Sequence, residues 1–314
     1  MSHLREAMRP DRLAAPGVWE GLLEDMPMTA MIRNLAAMTR AGVLAPGSRA
    51  TAQVVERLAD RERLGRAGVH PIAVLLAQTT YAFGRGMRGH GRWEPVTAVV
   101  DALDAAFYAA FANVEPTGRR LLLALDVSGS MTAGSVAGGV GVTPRVAAAA
   151  MALVTAATEP RHEIVGFFTG QGGVDFGSAG PHVGWRSGVS PLSITPRDRL
   201  DDVVAGIAGL PFGGTDCALP MRYAIERERA VDTFVVYTDS ETCAGEVHPA
   251  QALREYRERS GIAARLVVVG MVSSGFSIAD PGDPGMLDIV GFDASTPGVI
   301  AGFADGRPPS RPRW

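Results

Sequence analysis

Apolar positions recur at helical spacing through residues 19 to 112. In TAMIRNLAAMTRAG, Met31, Ile32, Leu35 and Met38 fall on one face, and Gly42 ends the run. Val54, Val55 and Leu58 form a second stripe. Ile72, Leu75, Leu76 and Thr79 form a third, which opens after Pro71, a residue suited to a helix's first turn. A fourth begins at Pro95 and carries Val96, Val99, Val100, Leu103, Phe107 and Phe111. Gly- and Pro-rich loops separate the stripes, so residues 1–118 are expected to form a small all-α helical-repeat array that does not stand alone.

Around Glu115-Pro116-Thr117-Gly118 the period changes, and short apolar runs begin to alternate with helical segments. The predicted strands are Arg120 to Val127, Glu163 to Phe168, Thr233 to Tyr237 and Ala264 to Val269. The predicted helices lie near Pro144 to Thr158, Arg197 to Leu210, Cys217 to Arg229 and Pro249 to Ser260. Strands this apolar, each followed by a helix, imply a mostly parallel sheet covered on both faces. Residues 119–306 are therefore expected to be a doubly wound α/β domain, with its binding rim at the carboxyl ends of the strands. Residues 307–314 are expected to be a disordered tail.

Composition narrows the chemistry. With 46% hydrophobic and 20% charged residues the chain has a globular profile. No apolar run reaches the length of a membrane span, and MSHLREAMRPDRL has no apolar leader segment; both predict a cytoplasmic protein without membrane association. There is no lysine, since all 30 basic residues are arginine, so Walker A, Schiff-base and kinase-type lysine chemistry is excluded. The net charge of −3 marks no bulk nucleic-acid-binding surface, so any RNA contact must be local. Cys217 and Cys243 lack zinc-ligand spacing and are expected to be small buried residues.

The stretch ALDVSGSM sets Asp126, Ser128 and Ser130 at alternate positions where the first strand ends. In PFGGTDCALP, Thr215 follows a glycine pair just before a helix, and in FVVYTDSET, Asp239 ends another buried strand. A parallel sheet would deliver all five side chains to one rim: two carboxylates and three hydroxyls, without histidine or thiolate. Hard oxygen donors of this kind suit Mg²⁺ or Mn²⁺ and leave a coordination position open for a partner's carboxylate or a phosphate oxygen. The competing reading is that these residues are turn formers and helix caps, with Thr215 an N-cap.

This pattern resembles a von Willebrand factor A domain with a metal-ion-dependent adhesion site, whose signature is D-x-S-x-S followed by a Thr and an Asp. More specifically, the chain resembles the Ro (TROVE) RNA-binding proteins through MPMTAMIRNLAAMT, VHPIAVLLAQTTYAFGRGMRGHGRW, ALDAAFYAAFANVEPTGRRLLLALDVSGSM, LPFGGTDCALPM and YTDSETCAGEVHPAQALREYR, in order from about Glu24 to Arg257. The resemblance implies a helical-repeat ring closed by an A domain. It also implies binding of small non-coding and misfolded RNAs in ribonucleoproteins and RNA quality control, without catalysis. Bacterial members of the family can tether RNA to an exoribonuclease. The chain departs from the family in having only about 118 residues before the A domain, room for about three repeats of about 40 residues. It is therefore expected to be a fragment or a short form that has lost most of the family's RNA contacts.

One loop offers a local RNA contact. YAFGRGMRGHGRW carries Arg85, Arg88, His90 and Arg92 among Tyr81, Phe83 and Trp93, so arginines could follow phosphates while aromatics stack bases. It reads more readily as an exposed arginine loop, or as one that docks the helices on the A domain with its aromatics in the core. The glycine-rich segment Thr132 to Arg145 lacks P-loop spacing, no G-x-S-x-G elbow surrounds Ser128 or Ser130, and no second Asp follows Asp126 at two residues. The expectation is an RNA-binding, Ro-like protein whose A domain docks a partner through Mg²⁺. The alternative is a metal-dependent protein-interaction module that has lost RNA binding. A metal-assisted hydrolase would need a general base that the sequence does not supply.

Overall fold

A computed structural model describes residues 16–86, 91–136, 139–169, 174–175, 187–210, 214–239, 245–272 and 278–306. The tail expected at 307–314 lies outside them, as does Cys243. The chain divides into two compact units, Met1–Glu115 with Gly139–Gly141, and Pro116–Gly138 with Val142–Trp314. Among the described residues no helix is long and apolar enough to cross a membrane.

The first unit contains α1 (Pro16–Asp25), α2 (Met28–Arg40), α3 (Arg49–Ala59), α4 (Arg61–Arg66), α5 (Pro71–Ala82), α6 (Thr97–Ala109) and a 3₁₀ turn, Ala110–Asn113. The expected stripes are the buried faces: Met31, Leu35 and Met38 of α2, Val54 and Leu58 of α3, Ile72, Leu75 and Leu76 of α5, Val99, Leu103 and Phe107 of α6. Starts are fixed by local acceptors. Ser48 Oγ accepts the Thr51 amide, Asp60 accepts that of Arg63, and His70 Nδ1 accepts that of Ile72 just before Pro71. Helices α1 and α4 extend the expected set. Arg57 of α3 is buried and donates through Nη1 to Leu23 O at 2.5 Å and through Nη2 to Met26 O, holding the end of α1. Its hydrogen bonds satisfy carbonyls that the helix end leaves without partners.

The second unit is a seven-stranded sheet in the order β3-β4-β2-β1-β5-β6-β7. Its strands are β1 (Leu121–Asp126), β2 (His162–Phe168), β3 (Val174–Asp175), β4 (Ser187–Pro191), β5 (Thr233–Thr238), β6 (Arg265–Gly270) and β7 (Met286–Val290). Every pairing is parallel except β2 with β4. The helices are α7 (Pro144–Thr158), α8 (Leu200–Ala208), α9 (Leu219–Glu226), α10 (Pro249–Ser260) and α11 (Thr296–Ala304). All six residues of β1 and of β5 are buried, which explains their unbroken apolar runs. On one face Leu122, Ala124, Phe234, Val236, Leu266 and Val268 form a core with residues of α9 and α10, while α7 packs on β1 and β2. In β2, a Cβ at Gly166 would stand 2.9 Å from Leu210 Cδ1 and 3.1 Å from Val127 Cγ1, so glycine lets these side chains pack closely on the strand.

The structure departs from the sequence reading in several places. Strands β3, β4 and β7 and helix α11 were not anticipated. β4, with the sequence SGVSP, is the antiparallel strand. The helix expected from Arg197 begins only at Leu200, because the Asp198 carboxylate accepts Thr195 N at 2.7 Å and Thr195 Oγ1 at 3.0 Å and closes a turn first. At the sheet's other end, Arg120 lies outside β1 and is held by Asp232, which accepts its backbone N at 2.9 Å and its Nε at 3.0 Å.

Candidate metal and docking site

The sheet's strand order reverses at β1: the chain moves to β2 on one side, then returns to pair β5 on the other. In open α/β sheets a strand-order reversal of this kind is where ligands bind, at the carboxyl ends of the strands. Asp126 is the last residue of β1, and Leu125 pairs with Tyr237 of β5, so the ends of the two strands lie side by side.

Asp126 is 1% exposed and takes three donors. Its Oδ1 accepts Ser128 N at 2.8 Å, and its Oδ2 accepts Thr215 Oγ1 and Thr238 Oγ1, each at 2.8 Å. Ser128 Oγ lies 3.0 Å from Ser130 Oγ, so the two serines turn their oxygens together; Ser128 is buried and Ser130 exposed. Asp239 directly follows Thr238 and is 2% exposed. Hydrogen bonds thus tie four of the five expected residues into one cluster, and the fifth adjoins Thr238, whose hydroxyl touches the central carboxylate. Burial pushes the Asp126 carboxyl above its ordinary pKa, while the Ser128, Thr215 and Thr238 donors pull it back. A buried carboxylate with hydroxyl oxygens around it and an exposed serine on one side is a donor set that a hard, oxygen-seeking ion fits. Among the described residues no group of three or more His, Cys, Asp or Glu side chains could hold a metal, so any ion here depends on the hydroxyls.

Sequence reasoning missed three contributors. Thr238 reads as an ordinary strand residue, yet it is fully buried and shares Oδ2 of Asp126 with Thr215. Arg145, in the first turn of α7, donates through Nη2 to Ser128 O at 3.2 Å and to Val127 O at 3.4 Å, bracing the loop from behind. Asp216, beside Thr215, accepts Ala218 N at 2.9 Å and is pushed up in pKa by burial; a Cβ at Gly245 would come within 2.5 to 2.6 Å of its carboxylate. The close approach of Gly245 leaves no signal in a single sequence beyond the glycine itself.

The arginine loop lies in the helical unit. Arg85 and Arg92 face each other in an isolated antiparallel bridge, and Trp93 N donates to Gly84 O at 2.9 Å. Gly84 turns at φ +71°, and a Cβ there would sit 2.7 Å from Trp93 O. Both arginines are exposed, and Arg85 stacks over Phe83 with its guanidinium carbon 4.7 Å from the ring centroid. The aromatics divide: Tyr81 is buried and accepts Trp93 Nε1 at its carbonyl at 2.8 Å, whereas Phe83 is 48% exposed. The expectation of an all-core aromatic set therefore fails at Phe83. Arg40 of α2 packs its guanidinium against Gly91, adding a third arginine to this hairpin. Arg88 and His90 lie outside the described residues. Cys217 is buried, as expected.

Comparison with known proteins agrees with this architecture. Residues 120–304 match the family model of the Ro60 vWA domain, and residues 1–119 match the TROVE domain. The chain is 46% identical over 298 residues to "RNA-binding protein RO60" of Deinococcus radiodurans, covering 95% of this chain and 53% of that protein. It is 42% identical over 306 residues to "RNA-binding protein RO60" of Caenorhabditis elegans, covering 97% of this chain and 44% of that protein. The crystal structure of the Deinococcus radiodurans RO (RSR) protein matches with a TM-score of 0.83 at 47% identity, over 94% of this chain and 56% of that one. The chain thus spans about half the length of the curated relatives it matches. With both domain models matched in order, the chain belongs to the Ro60 family of TROVE and von Willebrand A domain proteins.

Proposed function

We propose that this chain is a non-catalytic, cytoplasmic Ro-type RNA-binding protein of small non-coding RNA ribonucleoproteins and RNA quality control, with a metal-ion-dependent adhesion site for partner docking. Its A domain holds Mg²⁺ or Mn²⁺ through Asp126, Ser128, Ser130, Thr215 and Asp239, and presents the ion to a carboxylate of a protein partner such as an exoribonuclease. The observation that carries the docking half is the buried Asp126 carboxylate at the switch point, receiving hydroxyls from two separate segments at 2.8 Å each. The ion would supply a Lewis-acidic attachment point. The chain's own residues orient the donors and keep water from the inner side of the carboxylate.

The RNA half rests on family membership and on the exposed hairpin of Arg85, Arg92 and Phe83. Backbone-following arginines and a stackable ring suit single-stranded RNA, with affinity that falls as salt rises. Retention of a structured small RNA with a single-stranded end, measured across a salt series, tests it. The expected outcome is salt-sensitive binding that weakens in Arg85→Ala with Arg92→Ala. Binding no stronger than that of a lysine-free control protein overturns the RNA half and leaves a metal-dependent protein-interaction module.

A further inference from the structure

Arg145 lies outside the five-residue signature, yet its side chain is built into the loop that carries the signature. It sits in the first turn of α7, two residues after the N-cap Thr143. Its Nη2 donates to Ser128 O and Val127 O at 3.2 and 3.4 Å, so the guanidinium lies against the backbone between Asp126 and Ser130. Its Nε is buried without a partner. Burial lowers the Arg145 pKa and the charge of Asp126 opposes that shift, so the two groups interact electrostatically. An arginine guanidinium stays protonated in proteins.

Charge balance gives this placement a consequence. Two carboxylates, Asp126 and Asp239, neutralise a divalent ion, the neighbouring Asp216 carboxylate is offset by the charge of Arg222, and the Arg145 guanidinium then leaves the loaded site with one net positive charge. A neutral ligand gains little from that surplus, and a singly charged oxyanion gains its full attraction in a poorly solvated setting. We propose that Arg145 is a specificity-determining residue of the docking site, making the metal-loaded A domain select a carboxylate over water or a neutral oxygen ligand. This rests on the metal reading given above. The guanidinium also fixes the loop, so charge and bracing must be separated by experiment.

The full chain is loaded with Mn²⁺ as a paramagnetic probe, and the relaxation of acetate methyl protons reports acetate at the ion. Wild-type protein is expected to bind Mn²⁺ and to enhance acetate relaxation. Arg145→Gln is expected to bind Mn²⁺ at least as tightly while the acetate enhancement falls by about tenfold, the low end of measured charge-pair couplings. Arg145→Lys, which keeps the charge and loses the planar fork, is expected to retain most of the enhancement. Equal enhancement in Arg145→Gln overturns the proposal. If the Gln variant loses Mn²⁺ as well, the Lys variant decides: acetate lost with Mn²⁺ retained means bracing alone and overturns it, and both retained supports it. A wild-type chain that takes up no Mn²⁺ defeats the metal reading itself, and the proposal with it.

Discussion

Replacing Thr238 by Val removes one oxygen from the centre of the A domain and changes little else, because the two side chains have nearly the same shape and both suit a strand. Thr238 is fully buried, and its hydroxyl donates to Asp126 Oδ2 at 2.8 Å. A hydrogen bond to a charged group contributes about 1.5 to 3 kcal/mol, so the variant should lose about 2 kcal/mol in metal-free buffer. For a domain of this size that is about 4 to 8 °C in Tm. The loss also removes a donor that holds the carboxyl pKa down, so the ionised Asp126 becomes harder to keep buried. Thr215→Val should cost a similar amount through the same Oδ2, and the double variant should depart from additivity by more than about 0.5 kcal/mol. Urea unfolding of the full chain in chelator, followed by circular dichroism, measures all three. A Thr238→Val protein within about 0.5 kcal/mol of wild type would refute the claim that its hydroxyl supports the buried carboxylate.

Other outcomes follow from the same geometry. His70 accepts the Ile72 amide at the start of α5, and burial lowers its pKa from 6.5 to about 4. Its contribution is intact above pH 6.5 and is lost as pH falls toward 4, because only the unfolded state takes the proton in that window; the full linkage is about 3 kcal/mol. His70→Asn keeps a capping acceptor and should flatten this slope in denaturation curves taken from pH 7 to 4; an unchanged slope assigns it to other groups. Gly245→Ala should destabilise the A domain by about 1 to 3 kcal/mol through collision with the Asp216 carboxylate. Pairing it with Asp216→Ala should recover part of that loss, and a purely additive pair would contradict the contact.

The elements legible in the sequence were those whose burial is uniform. β1, β2, β5 and β6 show as apolar runs because both faces of the sheet are covered, and α7 and α10 show because proline opens each of them. β4 and β7 were hidden: SGVSP has one large apolar residue, and MLDIV is only partly buried and carries Asp288, which accepts the Ile278 and Ala279 amides. α11, TPGVIAGFA, has two glycines that obscure its period. At the site, alternation at a strand end announced Asp126, Ser128 and Ser130, and Thr215 is positioned by the antiparallel bridge of its neighbour Gly214 to Thr169, just beyond β2. Thr238 and Arg145 could not be read, since a strand threonine and a first-turn arginine acquire their roles only when chain segments distant in sequence meet at one carboxylate.

The central claim is that this carboxylate belongs to an ion site, and calorimetric titration of Mg²⁺ into the chelator-stripped full chain tests it most directly. One ion per chain should bind to the wild type, and Asp126→Ala should abolish the heat while circular dichroism shows the fold retained. Identical Mg²⁺ binding by wild type and Asp126→Ala, or none by the folded wild type, would contradict the account.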